Sequence, residues 1–247
     1  RRHSFPTRRS SDLVKHTKNL SKILKICYHN NWIEKDLVIF YKGRFNEVNV
    51  NFLTDEELSS IREKEFSGKG LELVRDMFVF SCYTGLAYID IFNLTKDQLS
   101  KGIDGNLWII TNRQKTGSAS NIPLLPVAEE IIKKYENHPV SSNSGKLLPV
   151  YTNQKVNEYL KTIAENCGIN KKLTFHCARH TFATTVTLGN NVSMESVSKM
   201  LGHKSIKTTQ HYAKILDSKV SQDMGSLKLV LEKKNEVQKE NDKKLGS

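Results

Sequence analysis

The segment TFHCARHTFATT, residues 174–185, sets His176 and Arg179 three apart, a spacing that brings both side chains to one face of a helix. Downstream, KMLGHKSIKTTQHYAKI (199–215) places His203 nine residues ahead of Tyr212, and upstream Lys115 sits in the stretch RQKTGS. A guanidinium, imidazoles and an ammonium are donors suited to an anion, and a phenol becomes a nucleophile once its proton is removed. The formal net charge of +12 points the same way, because Lys and Arg that neutralise phosphates release counterions and give affinity for a polyanion whatever its sequence. Taken singly, each residue has a plainer role: Lys115 as a solvated turn lysine, His203 as a favourable end to a helix dipole, Tyr212 as a core aromatic.

The elements that must position these residues are mainly helical. LTDEELSSI pairs Thr54 with Glu57 in a capping box, and GLELVRDMFVFSCYTGL predicts a long apolar helix ending at Gly85, followed by a short one over AYIDIFNL. The period then changes: Leu107–Thr111 and Asn121–Leu125 are β-rich runs flanking a Gly-Ser turn, which predicts a hairpin with Lys115 near its tip. Pro126 suits the first turn of a helix reaching about Asn137, residues 140–146 read as a loop, and a helix is expected over 153–167, stopped by Gly168. Three short helices separated by Gly189 and Gly202 carry the chain to about residue 215. The expected fold class is mainly α with a small antiparallel sheet or hairpin.

A lysine on a hairpin, H-x-x-R opening a helix, then L-G-H, then a tyrosine nine residues on together resemble the tyrosine recombinase (phage integrase) family. The matching residues are Lys115, His176, Arg179, His203 and Tyr212; the likeness runs from about Phe52 to Leu216, with TGLAYIDIFNLT matching the family's first box in outline. The resemblance implies the tyrosine recombinase catalytic-domain fold and a DNA phosphodiester as substrate. Arg179, His176 and His203 would hold the non-bridging oxygens, His176 also relaying a proton from the nucleophile. Tyr212 would attack phosphorus to give a 3′-phosphotyrosyl bond while Lys115 protonates the departing 5′-oxygen. Full deprotonation of a free phenol at pH 7 costs about 4 kcal/mol, which neighbouring cations and a base lower. Neither ATP nor a metal is implied, and no cofactor.

One position departs from the family. An arginine usually follows T-G-L, and here Ala87 stands in its place. The outline resembles a subgroup of integrases from conjugative and mobilisable elements in which this arginine is commonly absent. Arg75, on the preceding helix, is the expected substitute, with an ion pair to Asp76 or Glu72 as its competing role; Arg113 is the reserve. Two other functions stand beside recombination: DNA binding without catalysis, disabled at Ala87, and a metal-dependent hydrolase built on His176, His180, His203 and His211. The last lacks H-E-x-x-H and a nearby acidic partner.

Residues 1–13 share no periodicity with the rest of the chain and are read as a non-native segment without a secretory h-region. Residues 14–47 are expected to be the C-terminal fragment of a helical core DNA-binding domain with its linker, 48–218 the catalytic domain, and 219–247 a C-terminal helix and charged tail. In 14–47, Leu20, Ile23, Leu24, Cys27 and Tyr28 make an amphipathic stripe. Cys27, Cys82, Cys167 and Cys177 are scattered without metal-ligand spacing, consistent with a reduced, cytoplasmic setting. No apolar run approaches the roughly 20 residues of a membrane span. By resemblance, the partners are a double-stranded recombination site, further copies of the chain in a tetramer on two duplexes, with residues 219–232 packing on a neighbour, and DNA-bending accessory proteins.

Overall fold

The computed structural model describes residues 10–39, 50–213, 224, 225, 227 and 228. The chain divides into two units, residues 1–49 and 50–247. The segment 1–9, most of the linker and nearly all of the expected C-terminal helix at 219–232 lie outside the described residues.

The first unit contains α1 (Ser10–His29), which starts earlier than the apolar stripe. Asn31 ends it in the left-handed region (φ 58), a conformation asparagine tolerates. Leu20, Ile23 and Ile26 are more than half exposed.

The second unit is built around α3 (Lys69–Thr84), a helix buried along most of its length. Before it, α2 (Asp55–Glu63) opens on the Thr54–Glu57 capping box, both reciprocal hydrogen bonds being present. After it come α4 (Tyr88–Asn93), a 3₁₀ turn (Lys96–Gln98), β1 (Leu99–Lys101), β2 (Leu107–Asn112) and β3 (Ala119–Pro123). The strands form an antiparallel sheet in the order β1-β2-β3. The expected hairpin is therefore joined by a third strand, pairing Leu99 with Ile109 and Lys101 with Leu107. Three residues are too few to show a period, so β1 left no pattern in the sequence.

The remaining elements are α5 (Pro126–Tyr135), α6 (Pro139–Ser144), α7 (Asn153–Asn166), α8 (Phe175–Thr181), α9 (Met194–Met200) and α10 (Ile206–Ala213). Here α6 replaces the loop expected at 140–146: Pro139 takes a first-turn position and Gly145 (φ 67) closes the helix. Between α8 and α9 the helix does not simply stop, but widens to π pitch over Phe182–Thr187 and tightens to a 3₁₀ turn at Leu188–Asn190.

Phe78 and Phe80 of α3 are fully buried, and Phe78 meets Phe175 of α8 edge-on, ring centroids 6.2 Å apart. Burying one such side chain contributes about 1.5–3 kcal/mol, so α3 and α8 are held together chiefly by apolar area. A second, smaller cluster of Phe182, Leu188, Val197, Leu201 and Tyr212 joins the π segment to α9 and α10. Gly85 lies where the two meet: at φ 70 it ends α3, and a Cβ there would stand 2.5 Å from the Phe182 ring.

Candidate active site

Arg179 is the centre of the site and is only 3% exposed. Its Nη1 donates to the Gly85 carbonyl (2.6 Å), and its Nη2 to the Leu201 carbonyl (2.5 Å) and to His203 Nε2 (3.2 Å). Gly85 and Leu201 are the C-caps of α3 and α9, so the buried cation sits against the negative ends of two helices. These bonds engage three of the five N–H groups of a guanidinium, leaving donor capacity for an anion. Burial, with Arg113 next, lowers its pKa to about 10, so it remains a cation at neutral pH.

Arginine cannot accept a hydrogen bond, so His203 Nε2 must be the acceptor from Arg179. The proton therefore sits on Nδ1, which donates to Thr209 Oγ1 at 2.8 Å. Thr209 is fully buried on α10, and thereby sets the tautomer of a histidine six residues earlier. Burial, then Arg179 and Arg113, pulls His203 down to about 4 and keeps it neutral.

Tyr212 lies in the same chain beside this pair, 6% exposed. Its ring stacks nearly parallel to His203 (9°, centroids 6.4 Å), and its Oη shares a 3.1 Å hydrogen bond with His180 Nδ1. Burial raises the phenol's pKa, while the charges of Arg179 and Arg113 oppose that rise. His176, one turn before His180, stands edge-to-face against the His180 ring at 4.4 Å. Its pKa is lowered by partial desolvation and then by Arg179, Arg113 and Lys115, so all three cations act on this imidazole.

Lys115 is exposed in the turn between β2 and β3, which Gly117 closes at φ 64. That turn is tied to α4: the Gln114 backbone N–H donates to buried Asp90 Oδ1 at 2.9 Å. Arg113 begins the same turn, its Nε 3.8 Å from Asp90 Oδ2 and without a hydrogen-bond partner. Gly202, at φ 59, leaves room for it, since a Cβ there would meet Arg113 Cδ at 2.7 Å.

Arg75 takes the other role open to it. Its Nε bonds Asp76 (2.8 Å), its Nη1 the Lys64 carbonyl (2.6 Å), and Glu72 lies 3.8 Å away. Asp76 also holds Lys134 (2.7 Å) and Tyr135 (2.8 Å), which makes this a structural ion cluster between α3 and α5. These contacts are the competing role named for Arg75, whereas the arginine whose charge reaches Arg179, His176, His203 and Tyr212 is Arg113. Ala87, the position left without an arginine, lines a groove with His176.

Residues 51–219 match the phage integrase family over more than half the chain. The chain belongs to that family. Among similar proteins, tyrosine recombinase XerC of Rickettsia canadensis (strain McKiel) is 29% identical over 170 residues, covering 64% of this chain and 50% of that one. Tyrosine recombinase XerD of Lacticaseibacillus casei is 30% identical over 172 residues, covering 65% and 57%. The chain thus spans about half the length of the curated relatives it matches. Among solved structures, XerA recombinase shares the fold at TM-score 0.58 and 21% identity, covering 86% of this chain and 76% of that one. A lambda integrase dimer bound to a COC′ core site does so at 0.60 and 19%, covering 79% and 70%. The Tn1549 transposon integrase with a circular intermediate DNA does so at 0.62 and 14%, covering 90% and 80%.

Within this phage integrase fold, sequence reasoning missed three contributors. Asp90 and Thr209 act only through partners 24 and 6 residues away, which no local pattern reveals. His180 was visible four residues after His176, but only as a metal-ligand candidate. Among the described residues, no three His, Cys, Asp or Glu side chains converge as a metal site, and no helix is long and apolar enough to cross a membrane.

Proposed function

We propose that this chain is the catalytic part of a site-specific DNA recombinase that cuts and rejoins strands through Tyr212, in the integration or excision of a mobile element. The observation that carries the reading is a phenol and a buried guanidinium in one chain, joined through His203, which stacks on the first and accepts from the second. Arg179, Arg113, His176 and His203 would bind the phosphate's non-bridging oxygens, where negative charge grows as phosphorus becomes five-coordinate. The Tyr212 Oη–P bond forms as the P–O5′ bond breaks, and Lys115 gives its proton to O5′. Bond energy is kept in the phosphotyrosine, so rejoining is the same step reversed.

Arg113 is the proposed replacement for the arginine absent at Ala87. Tyr212 and Arg179 are both nearly closed to solvent in the chain without DNA. Assembly as a tetramer on two duplexes, accessory DNA-bending proteins and action in the cytoplasm belong to the same proposal.

The test uses nicked fragments of the source genome incubated with the chain in EDTA. A protein–DNA adduct that survives denaturation, and is absent with Tyr212→Phe, is the expected result. Binding without an adduct would favour the non-catalytic reading that Ala87 raises; cleavage abolished by EDTA would favour a metal enzyme.

A further inference from the structure

We propose that His180 is the base that takes the phenolic proton of Tyr212 as it attacks the phosphate. This rests on the recombinase reading above and gives to His180 the proton transfer that the family resemblance implied for His176.

Four histidines surround the phenol, and their bonds separate them. His203 has both nitrogens engaged, Nε2 by Arg179 and Nδ1 by Thr209, although its ring covers the phenol's face. His211 meets the Tyr212 ring edge-on at 6.3 Å and is itself exposed. His176 touches the His180 ring. Among the described residues, His180 Nδ1 alone is within hydrogen-bond reach of Tyr212 Oη, at 3.1 Å. That is the distance at which a base must stand from the proton it removes.

The His180 ring is held between the His176 ring, edge-on at 4.4 Å, and Tyr212. His180 lies in the last turn of α8, immediately before the helix widens to π pitch, and its carbonyl accepts from Thr184 Oγ1 at 2.8 Å. Such π segments gather at functional sites. Burial pulls His180 down to about 4, with further lowering by His176 and Arg179 on its own helix and by His211 on α10. The imidazole is therefore neutral at pH 7, and in the tautomer protonated at Nε2 its Nδ1 accepts from the phenol. A phosphate held by Arg179 offsets that cation's effect, so the base strengthens when DNA is bound.

In the step, Oη forms its bond to phosphorus and passes its proton to Nδ1, leaving an imidazolium beside the phosphotyrosine. The P–O5′ bond breaks and O5′ takes the Lys115 proton. Reversal returns both protons.

The test is single-turnover cleavage, in the full chain, of a site recovered from the genomic adducts. His180→Gln keeps an acceptor for the phenol but cannot hold its proton, and His180→Phe removes both. Each is expected to slow adduct formation by about 10²–10⁴-fold with DNA binding intact. A fluorinated tyrosine at 212, whose phenol ionises more readily, should recover most of that loss in His180→Gln. A substrate with sulfur at the 5′-bridging position relieves Lys115 and should not. His180→Gln at the wild-type rate, or recovery by the 5′-sulfur substrate, would overturn the assignment. Should the Phe variant fail to fold, the Gln variant carries the test alone. An unaltered chain that forms no adduct rejects the recombinase reading instead, which separates the two failures.

Discussion

Replacing Arg113 and Arg75 in turn separates the site from its scaffold. The Arg113 side chain is 13% exposed, its Nε has no hydrogen-bond partner, and its charge lowers the pKa of His176, His203 and Arg179. Removing one donor to a developing oxyanion costs about 2.7–4 kcal/mol, so Arg113→Ala should slow single-turnover cleavage about 10²–10³-fold. It should also let the His176 and His203 pKa values rise, read by NMR titration of their ring protons. Arg75→Ala removes bonds to Asp76 and to the Lys64 carbonyl, yet leaves Asp76 with Lys134 and Tyr135. Its loss is one of stability, about 1–3 kcal/mol, seen as a lower melting temperature with the cleavage rate of the folded protein unchanged. Equal slowing by the two variants, or slowing by Arg75→Ala without any thermal shift, would refute the assignment of Arg113.

The same geometry sets three further outcomes. Gly202→Ala puts a Cβ 2.7 Å from Arg113 Cδ at a positive φ, so it should lower both the melting temperature, by a cost of about 1–2 kcal/mol, and the cleavage rate. Thr209→Val leaves the His203 Nδ1–H without its 2.8 Å partner; cleavage should fall and the His203 ring-nitrogen NMR shifts should show mixed tautomers, whereas Thr209→Ser should restore both. His180 and His203 stay neutral in the fold down to about 4 but bind a proton near 6.5 when unfolded. The unfolded state therefore holds more protons between those values, and chemical denaturation should show stability falling as pH drops from 6.5 toward 4.

The parts of the fold that could be read from sequence are those whose cause is local. The Thr54–Glu57 box, the stop at Gly85, the hairpin and the helix ending before Gly168 each depend on residues within a few positions of one another. β1 and α6 escaped because three and six residues are too short to show a period, and the π segment because its residues would serve an ordinary helix equally well. In the site, Lys115, His176, Arg179, His203 and Tyr212 were singled out by resemblance to the family's motifs. What the resemblance could not supply was the choice between Arg75 and Arg113. Arg75 is nearer in sequence to the vacancy at Ala87, but its acidic neighbours hold it; Arg113 arrives across the fold on the hairpin, tethered through Asp90.

The central claim is that a DNA strand becomes bonded to one phenolic oxygen. Mass spectrometry of the trapped adduct after nuclease and trypsin digestion tests it most directly. The account predicts a phosphonucleotide on the peptide spanning residues 208–214, fragmenting at Tyr212 and carrying the 3′ end of the cut strand. The same mass on a peptide holding another tyrosine or a serine, or an adduct that persists in Tyr212→Phe, would contradict it.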